Sequence, residues 1–140
     1  MKVRIFLITF AAANLGLILY GIMTLIKPAI LLEPFSMHVY QFPAEAANAT
    51  TYISALYRLL GWLNIVPGLF GLIILKRYWV TQQGWYLRTA IVLTSLTYIG
   101  PVVFDNTVGT IGFFEILEHV LFLLVLIVGF IMFNHRQEAS

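Results

Sequence analysis

The chain has 140 residues, of which 61% are hydrophobic and only 10% are charged. Because soluble globular domains carry about a quarter of charged residues, this composition predicts a membrane protein without a separate soluble domain. The net charge is only +2 and the eight Lys and Arg residues are scattered, which argues against nucleic acid as a partner. The absence of cysteine excludes disulfides, thiolate metal sites and cysteine nucleophiles.

Four apolar runs predict membrane-spanning helices over residues 4–26, 52–75, 85–104 and 110–133. Each run has about the 20 residues that a helix needs to cross the hydrocarbon core. The first run follows Lys2 and Arg4 as a secretory signal would, but it stays apolar as far as Ile26, so we interpret it as an uncleaved span. The fold prediction is therefore all-α, an integral membrane four-helix bundle forming one domain over residues 1–140.

The connections differ in length and composition. Residues 28–51 contain three prolines and several aromatic side chains, which predicts a loop lying in the membrane interface; a lid over the outer mouth of the bundle is the alternative. Residues 81–84 predict a short polar turn. Gly100 and Pro101 are expected to loosen the end of the third span. Residues 105–107, together with Gly109, are expected to turn the chain into the fourth.

The distribution of basic residues predicts the orientation. In a four-pass topology, one side of the membrane receives Lys2, Arg4, Lys76, Arg77, Arg88 and Arg136, and the other receives Lys27. Because cytoplasmic loops are enriched in Lys and Arg, both termini are expected to be cytoplasmic.

Small residues mark one face of the second span. Gly61, Asn64, Gly68 and Gly71 recur at intervals of three and four, which places them on the same side of a helix. Small residues let a neighbouring helix approach closely, so we predict that this face packs against another span.

The candidate functional site lies in the fourth span. Glu115, Glu118 and His119 are spaced i, i+3 and i+4, which places them on one helical face. Arg58 of the second span lies at a similar depth from the outer surface when residues are counted at about 1.5 Å each. Ionisable residues inside spans usually face the bundle interior and have a partner or a function.

A structural and several functional interpretations of this site remain open. In the structural interpretation, Arg58 neutralises one glutamate and His119 hydrogen-bonds the other. Two carboxylates carry one more negative charge than one arginine neutralises, however. The site is therefore expected to hold a proton, a cation or a cationic ligand as well. Among functional interpretations, Glu115, Glu118 and His119 are suitable ligands for a divalent metal such as zinc, manganese or iron, with Asp105 or His38 completing the site.

Two further interpretations involve an organic molecule. A glutamate and His119 could exchange protons with a lipid-like substrate that Tyr57, Asn64 or Tyr98 orients. Alternatively, His119 could ligate the iron of a haem or bind a pigment, although a second axial ligand is not evident.

The second span from Tyr57-Arg58-Leu59-Leu60-Gly61-Trp62 through Gly68 to Gly71, and the Gly112-Phe113-Phe114-Glu115 segment of the fourth, resemble the small bacterial DoxX-like membrane proteins. That resemblance implies a four-helix bundle in a bacterial inner membrane. We expect an accessory or assembly subunit of a larger membrane complex, or a small-ligand-binding protein, with the lipid bilayer and other membrane subunits or further copies as partners. A membrane-embedded enzyme is the alternative, and transport would require an oligomer.

Overall fold

The computed structural model describes the backbone of residues 2–26, 47–108 and 113–137, and within these ranges all side chains except those of residues 47–50, 52–53, 104–105, 107–108, 113–115 and 135–137. The described residues form four helices: α1 (Lys2–Ile26), α2 (Ala47–Thr81), α3 (Gly84–Val108) and α4 (Phe113–Gln137). The described ranges contain no strand. The predicted all-α fold with four helices is confirmed.

Each helix contains a stretch that is long and apolar enough to cross a membrane. These stretches are Lys2–Ile26, Ser54–Thr81, Gly84–Val103 and Ile116–Asn134. Large apolar side chains are exposed on the outer surface of every helix, among them Ile8, Phe70, Leu96 and Phe130. Apolar surface of this extent is compatible with acyl chains and not with water, so the chain is a helical membrane protein in a lipid bilayer.

The helices extend beyond several predicted ends. α2 begins at Ala47 and continues through Lys76 and Arg77 to Thr81, because these cations end the apolar run without breaking the helix. The last residues of the predicted interfacial loop are thus helical, while residues 27–46 lie outside the described residues.

The expectation that residues 105–107 form a turn is wrong, because α3 continues past Gly100 and Pro101 to Val108. Gly109, the last residue of the expected turn, lies outside the described residues. Asn106 remains in the last turn of α3, where its Nδ2 donates to the carbonyl of Val102 at 2.7 Å. Its side chain therefore bonds within the helix and does not start a turn.

The predicted polar turn between the second and third spans is confirmed. Only Gln82 and Gln83 separate α2 from α3. Gln82 has a φ of 54° and its N–H donates to the carbonyl of Tyr78 at 2.8 Å, as in a left-handed helix C-cap. The Gln82 side chain also donates to the carbonyl of Trp79 at 3.0 Å. This short connection makes α2 and α3 antiparallel neighbours.

The four helices form a ring in which α1 has its most extensive contact with α2. α3 packs between α2 and α4, and α4 closes the ring against α1, so α2 and α4 lie on a diagonal. The largest buried side chains are contributed mainly by α1, α2 and α3 and include Phe6, Phe10, Tyr78, Leu87 and Tyr98. α1 is the most buried of the four spans and α4 is the least.

The small-residue face of α2 packs against α1, as predicted. A Cβ atom on Gly61 would lie 2.7 Å from the carbonyl oxygen of Gly21, and one on Gly68 would lie 2.8 Å from that of Asn14. At both positions a backbone oxygen of α1 would clash with a Cβ atom, so only glycine permits this close approach of the two helices. Asn64 lies buried on the same helix, and its Nδ2 donates to the carbonyl of Leu60 at 3.1 Å.

Candidate functional site

Glu118 lines a cavity of about 250 Å³ near the end of the bundle where α4 begins. Its carboxyl group belongs to a half-buried side chain five residues into α4. The other walls are supplied by α1, α3 and α4 and consist of Gly16, Leu17, Leu19, Tyr20, Met23, Tyr98, Leu117 and Leu121. The cavity is therefore almost entirely apolar, with one carboxylate in its wall.

Gly16 leaves room for this cavity. A Cβ atom at Gly16 would lie 3.4 Å from Cδ1 of Leu121 and 3.7 Å from the Tyr98 hydroxyl. Both distances are ordinary van der Waals contacts, so a methyl group would fit, whereas a longer side chain would extend into the cavity.

Tyr98 lines the cavity and is 2% exposed. Its hydroxyl donates to the carbonyl of Ala13 at 2.9 Å, and its ring stacks on that of Phe122 with the centroids 6.2 Å apart. The hydroxyl proton is thus donated to a carbonyl of α1, while the hydroxyl oxygen can still accept a hydrogen bond. The structure brings Tyr98 and Glu118, both predicted site residues, to one cavity.

His119 faces a different neighbour. Its Nε2 lies 3.1 Å from Nδ2 of Asn106 on α3, and His119 does not line the cavity. Adjacent residues of a helix point about 100° apart, so Glu118 and His119 contact different surroundings. Sequence reasoning assigned Asn106 to a turn and for that reason missed this α3–α4 contact.

The structure does not bring Arg58 to Glu118. Arg58 is exposed on α2. α2 lies diagonally across the bundle from α4, because α1 and α3 each pack between these two helices. Tyr57 is half-buried on the same helix, and neither Tyr57 nor Asn64 lines the cavity. The three α2 residues of the predicted site are therefore separate from the Glu118 cavity.

Part of the predicted metal site lies outside the described residues. This applies to His38 and to the side chains of Asp105 and Glu115, although α4 includes the backbone of Glu115. Among the described residues, no group of three His, Asp or Glu side chains could hold a metal ion. A divalent metal at Glu115, Glu118, His119 and Asp105 stays a prediction.

Sequence reasoning missed Asn14, a polar side chain at the middle of α1 that is 1% exposed. Its Nδ2 donates to the carbonyl of Phe10 at 2.7 Å and to Oγ1 of Thr94 on α3 at 3.2 Å. Its Oδ1 lies where a Cβ atom on Gly71 of α2 would be. Asn14 thus contacts three helices at mid-membrane depth, and a lone amide within an apolar run was the available sequence signal.

Comparisons with known protein families, with curated proteins and with solved structures found no match to this chain.

Proposed function

We propose that this chain is a small-ligand-binding membrane protein, and that its ligand is an apolar molecule with a protonated amine. The observation that carries this proposal is the Glu118 carboxylate in the wall of an otherwise apolar cavity. Ligand sites combine apolar walls with a few polar groups that fix orientation. A carboxylate in such a wall favours a cation, because an ion pair gains strength where water is scarce.

The depth of the cavity indicates how the ligand would lie. Glu118 is the third residue of the apolar stretch Ile116–Asn134 and thus lies close to one membrane interface. Gly16 and Leu121 line the cavity further towards the bundle interior. An amphiphile could place its amine at Glu118, at headgroup depth, and its apolar part along α1.

The cavity volume limits the ligand size. At about 250 Å³ the cavity is slightly smaller than the range of roughly 300–1,000 Å³ that is common for small-molecule sites. It suits a small amine or a single alkyl chain better than a large ring system. Glu118 would bind the ammonium group, and the Tyr98 oxygen would accept a hydrogen bond from it.

The membrane setting belongs to the same proposal. The exposed Lys2, Lys76 and Arg88 lie at the opposite end of the bundle from Glu118, which favours cytoplasmic termini and an outer-leaflet cavity. The DoxX-like resemblance favours a bacterial inner membrane. A chain of four spans with little mass outside the bilayer suits an accessory subunit that binds its ligand within a larger membrane complex.

Calorimetric titration of the protein in lipid nanodiscs with octylamine tests the ligand class, with empty nanodiscs as the blank. Octanol is the neutral comparison of equal chain length. We expect Glu118→Gln to weaken octylamine binding about tenfold, the equivalent of about 1.4 kcal/mol, and to leave octanol binding unchanged. Equal octylamine affinity in the wild type and in Glu118→Gln would contradict the proposal.

A matched pair of glycine variants tests whether binding occurs in the cavity. Gly16→Leu places a side chain in the cavity and should abolish binding of both probes. Gly100→Leu is the control, because a Cβ atom there meets nothing within 4 Å and the change in helix propensity is the same. If both glycine variants bind octylamine equally well, the ligand lies elsewhere.

A further inference from the structure

The end of the bundle opposite the Glu118 cavity is basic. Exposed cations are contributed there by α1, α2 and α3, namely Lys2, Arg4, Lys76, Arg77 and Arg88. Glu118 is the one acidic residue whose side chain the structure describes, and it lies at the other end. This end therefore attracts anions at the membrane surface.

A groove of about 510 Å³ lies between α3 and α4 in the same half of the bundle. It is open along one side and is lined by Ile91, Ser95, Leu126, Ile127, Gly129, Phe130 and Phe133. Ser95 is the one polar residue among them, Gly129 has no side chain, and the other five side chains are apolar. In a bilayer such a groove is filled by apolar matter, since water has few partners there.

Arg88 stands at the mouth of this groove. Its Cζ lies 6.0 Å from the centroid of the Phe133 ring, within the range of a cation–π interaction. Phe133 itself lines the groove, and Ile91 follows Arg88 by about one helical turn. The guanidinium is exposed, so its donors can bind a further group.

The depth of Arg88 matches that of lipid headgroups. Trp85 precedes it by one turn and is 62% exposed, and Trp79 at the end of α2 is 57% exposed. Exposed tryptophans concentrate where headgroups meet acyl chains. The Arg88 guanidinium thus lies at headgroup depth, next to a groove that is as apolar as acyl chains.

We propose that the groove between α3 and α4 is a binding site for an anionic phospholipid. One acyl chain lies along Ile91, Leu126 and Phe130, and the phosphate binds the Arg88 guanidinium. Charge complementarity selects this occupant, because guanidinium donors match phosphate oxygens in geometry and charge. This site is independent of the proposed function, since it shares no residue with the Glu118 cavity.

Quenching of Trp85 fluorescence by brominated lipids tests the site. Trp62→Phe and Trp79→Phe leave Trp85 as the sole tryptophan, and the protein is reconstituted in phosphatidylcholine vesicles containing brominated phosphatidylglycerol or brominated phosphatidylcholine at equal fractions. We expect about fivefold stronger association of the anionic lipid. Arg88→Gln should remove most of this preference, whereas Arg77→Gln, an equal charge change on α2, should keep it.

A second pair of variants separates the groove from the general charge of the surface. Ile127→Phe enlarges a side chain that lines the groove and should lower the preference while Arg88 is intact. Val92→Phe enlarges an exposed residue of α3 outside the groove and is the control. Equal effects of Arg88→Gln and Arg77→Gln, or an unchanged preference in Ile127→Phe, would overturn the proposal in favour of diffuse surface charge. Absence of Trp85 quenching by brominated phosphatidylglycerol would overturn it too, because no anionic lipid would then lie beside Arg88, one helical turn away.

Discussion

Tyr98 joins three helices through a single side chain. Its hydroxyl bonds the carbonyl of Ala13 on α1 and its ring stacks on Phe122 of α4. Hydrogen bonds between helices in membranes contribute about 0.6 kcal/mol on average and at most about 1.7 kcal/mol. Most of the contribution of Tyr98 should therefore come from its ring, which fills the space between α1, α3 and α4.

Removal of the hydroxyl alone tests this division. Tyr98→Phe keeps the stacked ring and should lower the free energy of unfolding by about 1 kcal/mol. The measurement is unfolding by sodium dodecyl sulfate in mixed micelles, followed by circular dichroism. Tyr86→Phe makes the same change on the same helix and should be close to neutral, so equal losses in both variants would count against a role of the Ala13 bond.

Individual side chains also show what sequence reasoning can and cannot reach at this scale. Spacing identified Glu118 as an inward-facing residue, but it grouped Glu118 with His119, which contacts Asn106 instead of the cavity. Spacing defines a face about 100° wide and does not say which neighbour lies opposite each part of it. Asn14 was not predicted because, unlike Glu118 and His119, it has no polar neighbour at helical spacing in its apolar run.

At the scale of helix pairs, a Cβ atom on the α2 glycines would clash with two different kinds of group on α1. At Gly71 the obstructing group is the Asn14 side chain, whereas at Gly68 it includes the Asn14 backbone carbonyl, 2.8 Å from a Cβ atom. A side chain can be truncated by mutation, but a backbone carbonyl cannot. The two glycines should therefore respond differently to a change at Asn14.

A double-mutant cycle measures this difference. Gly71→Ala alone should destabilise the bundle by about 1–3 kcal/mol, the usual cost of overpacking. Asn14→Ala should cost about 1 kcal/mol through the lost Thr94 bond. The double variant should be more stable than the sum of the two losses implies, because truncation of Asn14 removes the clash.

Gly68→Ala provides the control for this cycle in the same unfolding assay. Combined with Asn14→Ala, it should show no such rescue, because its clash with the carbonyl of Asn14 persists. Additive losses in the Gly71 cycle, or equal rescue in the Gly68 cycle, would show that Asn14 does not determine the need for glycine at position 71.

The helices themselves were predictable because hydrophobic length is a strong signal, and their ends were not. α2 and α3 continue past the apolar runs, through Lys76 and Arg77 in one case and through Asp105 to Thr107 in the other. Polar residues end the apolar stretch, but backbone hydrogen bonds continue as long as no residue breaks them. The Gly61 to Gly71 face was predicted correctly because small residues have few other reasons to recur at helical spacing in a span.

At the scale of the whole molecule, the arrangement of helices decides which residues can meet. Similar depth suggested that Arg58 and Glu118 would pair, yet α2 and α4 lie on a diagonal. Depth follows from counting residues along each helix, whereas the order of helices around the bundle depends on which faces pack together. The glycine face of α2 packs against α1. Because of this packing, Arg58 does not line the Glu118 cavity.

The orientation of the bundle in the membrane is testable because the native chain has no cysteine, so each introduced cysteine reports alone. Gln83→Cys lies in the exposed turn between α2 and α3, and Ser36→Cys lies in the predicted interfacial loop. With cytoplasmic termini, a membrane-impermeant maleimide applied to intact spheroplasts should label position 36 directly and position 83 only after lysis. The reverse pattern would invert the orientation and move the Glu118 cavity to the inner leaflet. Labelling of both positions from outside would contradict a membrane span in α2, because position 36 precedes that helix in the chain and position 83 follows it.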